Sequence, residues 1–140
     1  MAAKVSLQVR LSRSVDAPSR ARELLEDRFV ATLDRDELEK ARLLASELVT
    51  NALVHGTGII TLRAEIDEDR LLVDVIDEGG GFERTARKRD FEDWGGRGLS
   101  IVEAGSSRWG IHEGTTHVWF ELEHPGPRLE TDYKPRGPNA

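Results

Sequence analysis

The chain contains no cysteine among its 140 residues. Disulfide bonds and thiolate-held metal sites are therefore excluded, and the cytoplasm is the simplest location. It also lacks an apolar run long enough to cross a bilayer. Its first fifteen residues, "MAAKVSLQVRLSRSV", alternate apolar and polar side chains and have no continuous apolar stretch, so a signal peptide is not indicated. We therefore expect a cytoplasmic protein without a membrane-spanning segment.

Basic residues are outnumbered by acidic ones. The 20 Lys and Arg against 26 Asp and Glu give a formal net charge of −6. This balance argues against direct nucleic-acid binding as the main function. The length suggests one domain with one core. We expect residues 1–123 to form this domain, and the Pro- and Gly-rich residues 124–140 to be a disordered tail.

Two common phosphate-binding motifs are missing as well. No G-x-x-x-x-G-K-[S/T] segment is present, so a P-loop is excluded. The strand–glycine–helix unit of a Rossmann dinucleotide site is also absent, because "GGRG" at residues 95–98 does not follow a predicted strand.

Hydrophobic periodicity predicts the order β-α-α-β-β-loop-α-β-β. Strands are predicted at 4–12, 60–66 and 71–77 and in a closing hairpin at 108–123, and helices at 17–32, 36–55 and 98–107. The clearest helical stripe has apolar residues three or four apart, namely Leu38, Ala41, Ala45, Leu48 and Ala52. Helices on one face of a mixed, mostly antiparallel sheet make a two-layer α/β sandwich. Residues 79–97 are rich in Gly and charge, and we interpret them as a functional loop, commonly a lid.

The first candidate site is the pair Glu47 and Asn51 in "ELVTN". Residues four apart are neighbours on one helix face, and this face lies at the edge of the apolar stripe. A carboxylate beside an amide could hold a water and a hard cation such as Mg²⁺, which prefers oxygen ligands. The alternative is a solvated polar flank of the helix.

Two glycine-rich segments follow. Asp77 ends an apolar strand just before Gly79, Gly80 and Gly81, and a carboxylate there suits a ligand that donates a hydrogen bond, such as an exocyclic amine. The second segment, "GGRGLSIV" at 95–102, immediately precedes a predicted helix, whose free N–H groups favour a phosphate. Taken alone, an ordinary turn and an ordinary helix entry are the alternatives.

In this order, the three segments resemble the nucleotide-binding motifs of the GHKL (histidine-kinase-like) ATPase superfamily. Glu47 to Asn51 looks like its N box, "DEGGGF" like its first glycine box and "GGRGLSIV" like its second, while "GTT" at 114–116 matches a further element. The resemblance covers roughly residues 4–123 and implies a Bergerat-type ATP-binding fold. The segment "ELVTNALVHG" is most similar to the anti-sigma regulatory factor and serine-protein-kinase branch. No helix pair carrying a phosphoacceptor His accompanies it, so a complete histidine kinase is not indicated.

The resemblance implies a site for ATP and Mg²⁺. In that family the residue matching Asp77 accepts a hydrogen bond from the adenine amino group, the one matching Asn51 binds Mg²⁺, and the one matching Glu47 is the general base. Further nucleotide contacts are implied for Gly79, Gly81, Gly96, Arg97, Gly98, Leu99 and Thr116. For Arg97 a solvated surface arginine is the alternative.

The resemblance further implies a switch between two protein partners. The chain would bind a sigma factor in one state, and in another it would phosphorylate Ser or Thr of a STAS-type anti-sigma-factor antagonist. A nucleotide-gated protein-binding module without phosphotransfer, or a degenerate fold that no longer binds nucleotide, are the alternatives. Members of this branch commonly form homodimers, and the sequence leaves the oligomeric state open.

Overall fold

Five strands and three helices follow one another in the predicted order. The structure is a computed structural model that describes residues 5–67, 69–79, 97–111 and 117–123. In chain order the elements are β1 (Val5–Leu11), α1 (Ala17–Phe29), α2 (Arg35–His55), β2 (Ile60–Asp67), β3 (Arg70–Ile76), α3 (Arg97–Gly105), β4 (Arg108–Ile111) and β5 (Val118–Glu123). Most of the loop predicted at 79–97 and the whole tail predicted at 124–140 lie outside the described residues.

The strands form one sheet in the order β1-β2-β3-β5-β4, in which β5 lies between β3 and β4. Every pairing among the described strands is antiparallel, so the mixed part of the predicted sheet is not found there. The register aligns one row of core-facing side chains across the sheet, namely Leu7, Ala64, Val73, Phe120 and Trp109. Alternation along each strand points these side chains to the same face.

The helices cover that face. Helix α1 packs on β1 and α2, and α2 packs on the middle of the sheet and on α3. All five residues of the predicted α2 stripe are buried, with exposures between 0% for Ala41 and 8% for Ala52. The two-layer α/β sandwich is therefore confirmed. No helix in the described part of the chain is long and apolar enough to cross a bilayer.

Helix α2 begins with a complete capping box. The Asp34 carboxylate accepts a hydrogen bond from the Glu37 N–H at 2.8 Å, and the Glu37 carboxylate accepts one from the Asp34 N–H at 2.9 Å. These bonds satisfy N–H groups that a helix N-terminus otherwise leaves without partners. Asp34 is thus the N-cap residue of the helix.

Two helices end earlier in the chain than the sequence predicts. Helix α1 ends at Phe29 rather than at residue 32, because the chain turns there and buries Leu33, which is 6% exposed. Helix α3 ends at Gly105 rather than at residue 107. Ser107 leaves the helix because its N–H donates to the Glu121 carbonyl of β5 at 2.8 Å. In both places a tertiary contact overrides local helix propensity.

Candidate functional site

Glu47 and Asn51 lie one turn apart on α2, beside its buried stripe. Asn51 is 9% exposed, and its amide nitrogen Nδ2 is buried with no hydrogen-bond partner among the described residues. Glu47 is half-buried, and no hydrogen bond or ion pair within the described part of the chain engages its carboxylate. The buried Nδ2 of Asn51 therefore lies one helical turn from a carboxylate that no described residue engages.

Asp77 follows β3 rather than forming its last residue, because the strand ends at Ile76. The residue is nevertheless buried at the end of the strand, with 9% of its surface exposed. One carboxylate oxygen, Oδ1, accepts a hydrogen bond from the Gly79 N–H at 2.7 Å. This hydrogen bond ties Asp77 to the turn that follows the strand, and a carboxylate can accept hydrogen bonds through both of its oxygens.

The Asp77 carboxylate stands directly against Gly56, the residue that ends α2. A Cβ atom added to Gly56 would lie 1.9 Å from Asp77 Oδ2 and 2.7 Å from the Ala52 carbonyl oxygen. Gly56 has φ −94°, which any residue adopts, so the glycine is needed here for space. The structure therefore brings Asp77 to the C-terminal end of the helix that carries Glu47 and Asn51.

A short turn at residues 56–59, between α2 and β2, is joined to Asp77 and its neighbour. The Glu78 N–H donates to the Thr57 carbonyl at 2.9 Å, and the Glu78 carboxylate accepts a hydrogen bond from the Ile59 N–H. Gly58 has φ +71°, which favours glycine. We refer to residues 56–59 as the α2–β2 turn.

Three residues to which the sequence patterns assigned no role hold this region together. Gly56 directly follows the predicted helix at 36–55, and Glu78 lies within "DEGGGF". Arg13 was not singled out, although its guanidinium donates to the carbonyls of Leu53 and Gly58 at 2.6 and 3.0 Å. Only the glycine carried a local signal, because Arg13 lies 40 or more positions from both of its partners.

The structure describes the other predicted site residues only in part. Gly79 lies in the turn after Asp77. Arg97, Gly98 and Leu99 are the first three residues of α3, placed by their backbone alone. Gly81, Gly96 and Thr116 lie outside the described residues. The predicted nucleotide contacts of these seven residues therefore stay predictions.

A metal held by this chain would depend on few protein ligands. Among the described residues no group of three or more His, Asp or Glu side chains is arranged to hold a metal ion. Asn51 is the one predicted metal ligand. A bound Mg²⁺ would therefore take most of its oxygen ligands from water and from a nucleotide, as this ion usually does.

Comparison with known proteins points to one family. Residues 11–122 match the family model of the histidine kinase-like ATPase domain. The serine-protein kinase RsbW of Staphylococcus epidermidis is 31% identical over 116 residues, which are 70% of this chain and 73% of that protein. The anti-sigma F factor of Lysinibacillus sphaericus is 31% identical over 108 residues, which are 63% of this chain and 73% of that protein.

A third relative, the anti-sigma F factor of Clostridium beijerinckii, is 39% identical over 62 residues. This match covers 39% of the chain, and the chain spans only 43% of that relative's length. A solved structure of the RsbU and RsbW domains of a Mycobacterium tuberculosis protein aligns with a TM-score of 0.63 at 22% identity, covering 86% of this chain and 32% of that one. The structural likeness supports the fold.

The family model spans most of the folded chain, and the relatives at 31% identity extend over nearly three-quarters of their own lengths. The antiparallel sheet with its helices on one face agrees with both findings. The chain belongs to the histidine kinase-like ATPase family, in the branch of the anti-sigma F factors and the serine-protein kinase RsbW.

Proposed function

We propose that this chain binds Mg-ATP and phosphorylates Ser or Thr of a STAS-type anti-sigma-factor antagonist, and that it binds a sigma factor in its other state. One observation carries the kinase part of the proposal. Glu47 has a carboxylate that no described residue engages, one helical turn from Asn51, whose buried Nδ2 likewise has no partner in the described part of the chain. A protein that only bound nucleotide would have no need of a base beside a metal ligand.

The residues present fit the nucleotide and its metal. Leaving a buried polar atom without a partner costs about 1–3 kcal/mol, so the Nδ2 atom of Asn51 favours a ligand that satisfies the amide. Rotation of the carboxamide presents either its oxygen or its nitrogen to that ligand. Asp77 is buried, and its carboxylate is a hydrogen-bond acceptor of the kind that the adenine amino group needs. Mg²⁺ held at Asn51 would neutralise phosphate charge.

In the proposed reaction the protein side chains carry out one chemical step, which is a proton transfer. In the proposed step the substrate hydroxyl oxygen forms a bond to the γ-phosphorus, and the bond between that phosphorus and the β–γ bridging oxygen breaks, so ADP leaves. The Glu47 carboxylate accepts the hydroxyl proton. Phosphoryl transfer otherwise relies on positioning and charge neutralisation. Glu47 is well placed for this role because it lies one turn from the predicted metal ligand.

The two partner classes rest on the relatives. The names "anti-sigma F factor" and "serine-protein kinase" stand for proteins that are 31–39% identical to this chain over their aligned segments. A net charge of −6 also favours protein partners over nucleic acid. We therefore propose a sigma factor and an antagonist protein as the two alternating partners.

The test compares Glu47→Gln with the wild-type chain. The variant keeps the size of the side chain and removes the base, so phosphate transfer to the host's STAS-domain proteins should fall at least about 100-fold. Mg-ATP affinity, measured by calorimetry, should stay within about twofold of wild type, because the change leaves Asn51 and Asp77 untouched. Transfer is measured by phosphosite mass spectrometry with Mg-ATP.

Glu103→Gln is the matched control, because Glu103 is an exposed helical glutamate on α3 whose side chain makes no hydrogen bond or ion pair with a described residue. It should transfer phosphate at the wild-type rate. If Glu47→Gln also transfers at that rate, Glu47 is not the base. If the wild-type chain binds Mg-ATP and a sigma factor but phosphorylates no STAS-domain protein, the nucleotide-gated binding module is the better description.

A further inference from the structure

Arg13 lies in the connection between β1 and α1, and its side chain extends to the C-terminal end of α2. Its Nη1 donates to the Leu53 carbonyl at 2.6 Å, and its Nε donates to the Gly58 carbonyl at 3.0 Å. The third nitrogen, Nη2, is buried without a partner among the described residues. The guanidinium is therefore enclosed between two carbonyls rather than extended into solvent.

These two carbonyls belong to different segments. The Leu53 carbonyl is one of the last in α2, which the helix itself leaves without an N–H partner, and the helix dipole favours a cation there. The Gly58 carbonyl belongs to the α2–β2 turn. Because one planar guanidinium contacts both, Arg13 fixes the turn relative to the end of the helix.

The α2–β2 turn in turn holds the segment that carries Asp77. Its other side is bonded to Glu78 through the Thr57 carbonyl and the Ile59 N–H. At Gly58 the packing is close as well, because an added Cβ would lie 2.7 Å from the Glu78 side chain. The turn thus lies between Arg13 on one side and Glu78 on the other.

The position of the Asp77 carboxylate depends on this arrangement. Its Oδ2 stands where a side chain at Gly56 would begin, 1.9 Å from the added Cβ. Gly56 is held by its own N–H, which donates to the Ala52 carbonyl at 2.9 Å. A displacement of the turn would therefore change the space into which the carboxylate is packed.

We infer that Arg13 is a positioning residue for adenine recognition, which holds the α2–β2 turn so that the Asp77 carboxylate faces the exocyclic amine of the base. The inference rests on the proposed function, since it requires that Asp77 bind adenine. Arg13 acts through Gly56 and Glu78 and has no contact with the base itself. Substitution of Arg13 should therefore change the selectivity for the base more than the affinity for the phosphates.

The test measures the ratio of Mg-ATP to Mg-ITP affinity by calorimetry. Inosine triphosphate carries a carbonyl where adenine has its amino group, so it lacks the exocyclic N–H donor proposed for Asp77 and reports the remaining contacts. We expect Arg13→Gln to lower the ratio by about three- to tenfold, the order of one weakened hydrogen bond to a charged group. Arg13→Lys keeps the positive charge but loses the planar guanidinium that donates to both carbonyls, so it should give an intermediate ratio.

Arg10→Gln is the matched control. Arg10 is exposed on β1, three residues before Arg13, and its side chain makes no hydrogen bond or ion pair with a described residue, so its variant should keep the wild-type ratio. A purely structural role for Arg13 would lower the melting temperature and weaken both nucleotides equally. An unchanged ratio in Arg13→Gln therefore overturns the inference. If Arg13→Gln does not fold, Arg13→Lys is judged by the same criterion.

The affinity ratio of the wild-type chain distinguishes a failure of the proposed adenine site from a failure of the role inferred for Arg13. A wild-type chain that prefers ATP to ITP, with Asp77→Asn abolishing the preference, supports the adenine site, and the Arg13 variants then decide the inference alone. A wild-type chain that binds both nucleotides equally, or binds neither, contradicts the proposed adenine site and the inference with it.

Discussion

At Gly56 the absence of a single side-chain atom makes room for a carboxylate. The helix that ends there and the turn that carries Asp77 approach so closely that a Cβ would overlap Oδ2 of the carboxylate. The backbone conformation at Gly56 is ordinary, so conformational freedom is not the reason for glycine. The reason is steric: glycine allows the end of α2 to pack directly against Asp77, the predicted adenine-binding residue.

Gly56→Ala should therefore weaken adenine nucleotide binding. The added methyl must displace Asp77 or the end of α2, and losing a charge-assisted hydrogen bond corresponds to about a ten- to hundredfold drop in affinity. Overpacking should also lower the free energy of unfolding by about 1–3 kcal/mol. Calorimetry with Mg-ATP and thermal denaturation measure the two effects.

Gly105→Ala serves as the control for that substitution. An added Cβ at Gly105 would lie 3.1 Å from Cδ2 of Leu44, a side-chain end that would have to move by only a few tenths of an ångström. It should leave Mg-ATP affinity within about twofold of wild type, because no predicted site residue is touched. Equal affinity for Mg-ATP in Gly56→Ala and wild type would contradict the steric account of Gly56.

Helix α2 is the element on which the site depends most. It runs without interruption from its capping box at Asp34 to Gly56 and carries Glu47 and Asn51 on the flank of its buried stripe. Helices are stabilised at their ends by caps and along their length by packing. The cap at one end and the site at the other are thus two parts of a single 21-residue helix.

Asp34→Ala should destabilise the protein through this helix. Removing an N-cap acceptor costs about 0.5–2 kcal/mol, and the Glu37 carboxylate also loses its reciprocal arrangement. Asp36→Ala, in the same first turn but without a cap bond, should cost less, about 0.3–1 kcal/mol from the dipole alone. Urea denaturation of both variants gives the comparison, and an equal loss in the two would remove the capping box as the cause.

At the scale of the molecule, the described helices and strands share one hydrophobic core. Phe29 from α1, Leu44 from α2, Val102 from α3 and Phe120 from β5 are all at most 1% exposed. Because the sheet and the helix layer bury the same side chains, the described elements should unfold together. The site lies between α2 and the strand ends, so its geometry depends on this packing.

Two adjacent leucines of α2 offer a matched test of the core. Leu44 is 1% exposed and Leu43 is 47% exposed, so Leu44→Ala should cost about 2–5 kcal/mol and Leu43→Ala about 0.5 kcal/mol or less. Helix propensity changes equally in both, which isolates the effect of burial. The unfolding transitions by tryptophan fluorescence and by circular dichroism should coincide, and separate midpoints would contradict a single cooperative core.

Local patterns in the chain were sufficient for most of the elements and for the candidate residues. The α2 stripe, the alternation of the strands, and the order of Glu47, Asn51 and Asp77 are all properties of neighbours along the sequence. Periodicity reports which face of an element is apolar, so these features could be predicted without coordinates. The ends of α1 and α3 were predicted less well, because contacts with Leu33 and Glu121 decide them.

Contacts between distant segments were decided only by packing. No local pattern in the sequence indicates that β5 lies between β3 and β4. The same is true of the packing of Asp77 against Gly56, and of the hydrogen bond from Arg13 to Gly58, which is 45 positions away. Side chains so far apart in the chain meet only after the sheet and the helix layer have closed on a common core. The residue types of the candidate site were therefore readable in the sequence, whereas the arrangement that orients Asp77 depends on the tertiary structure.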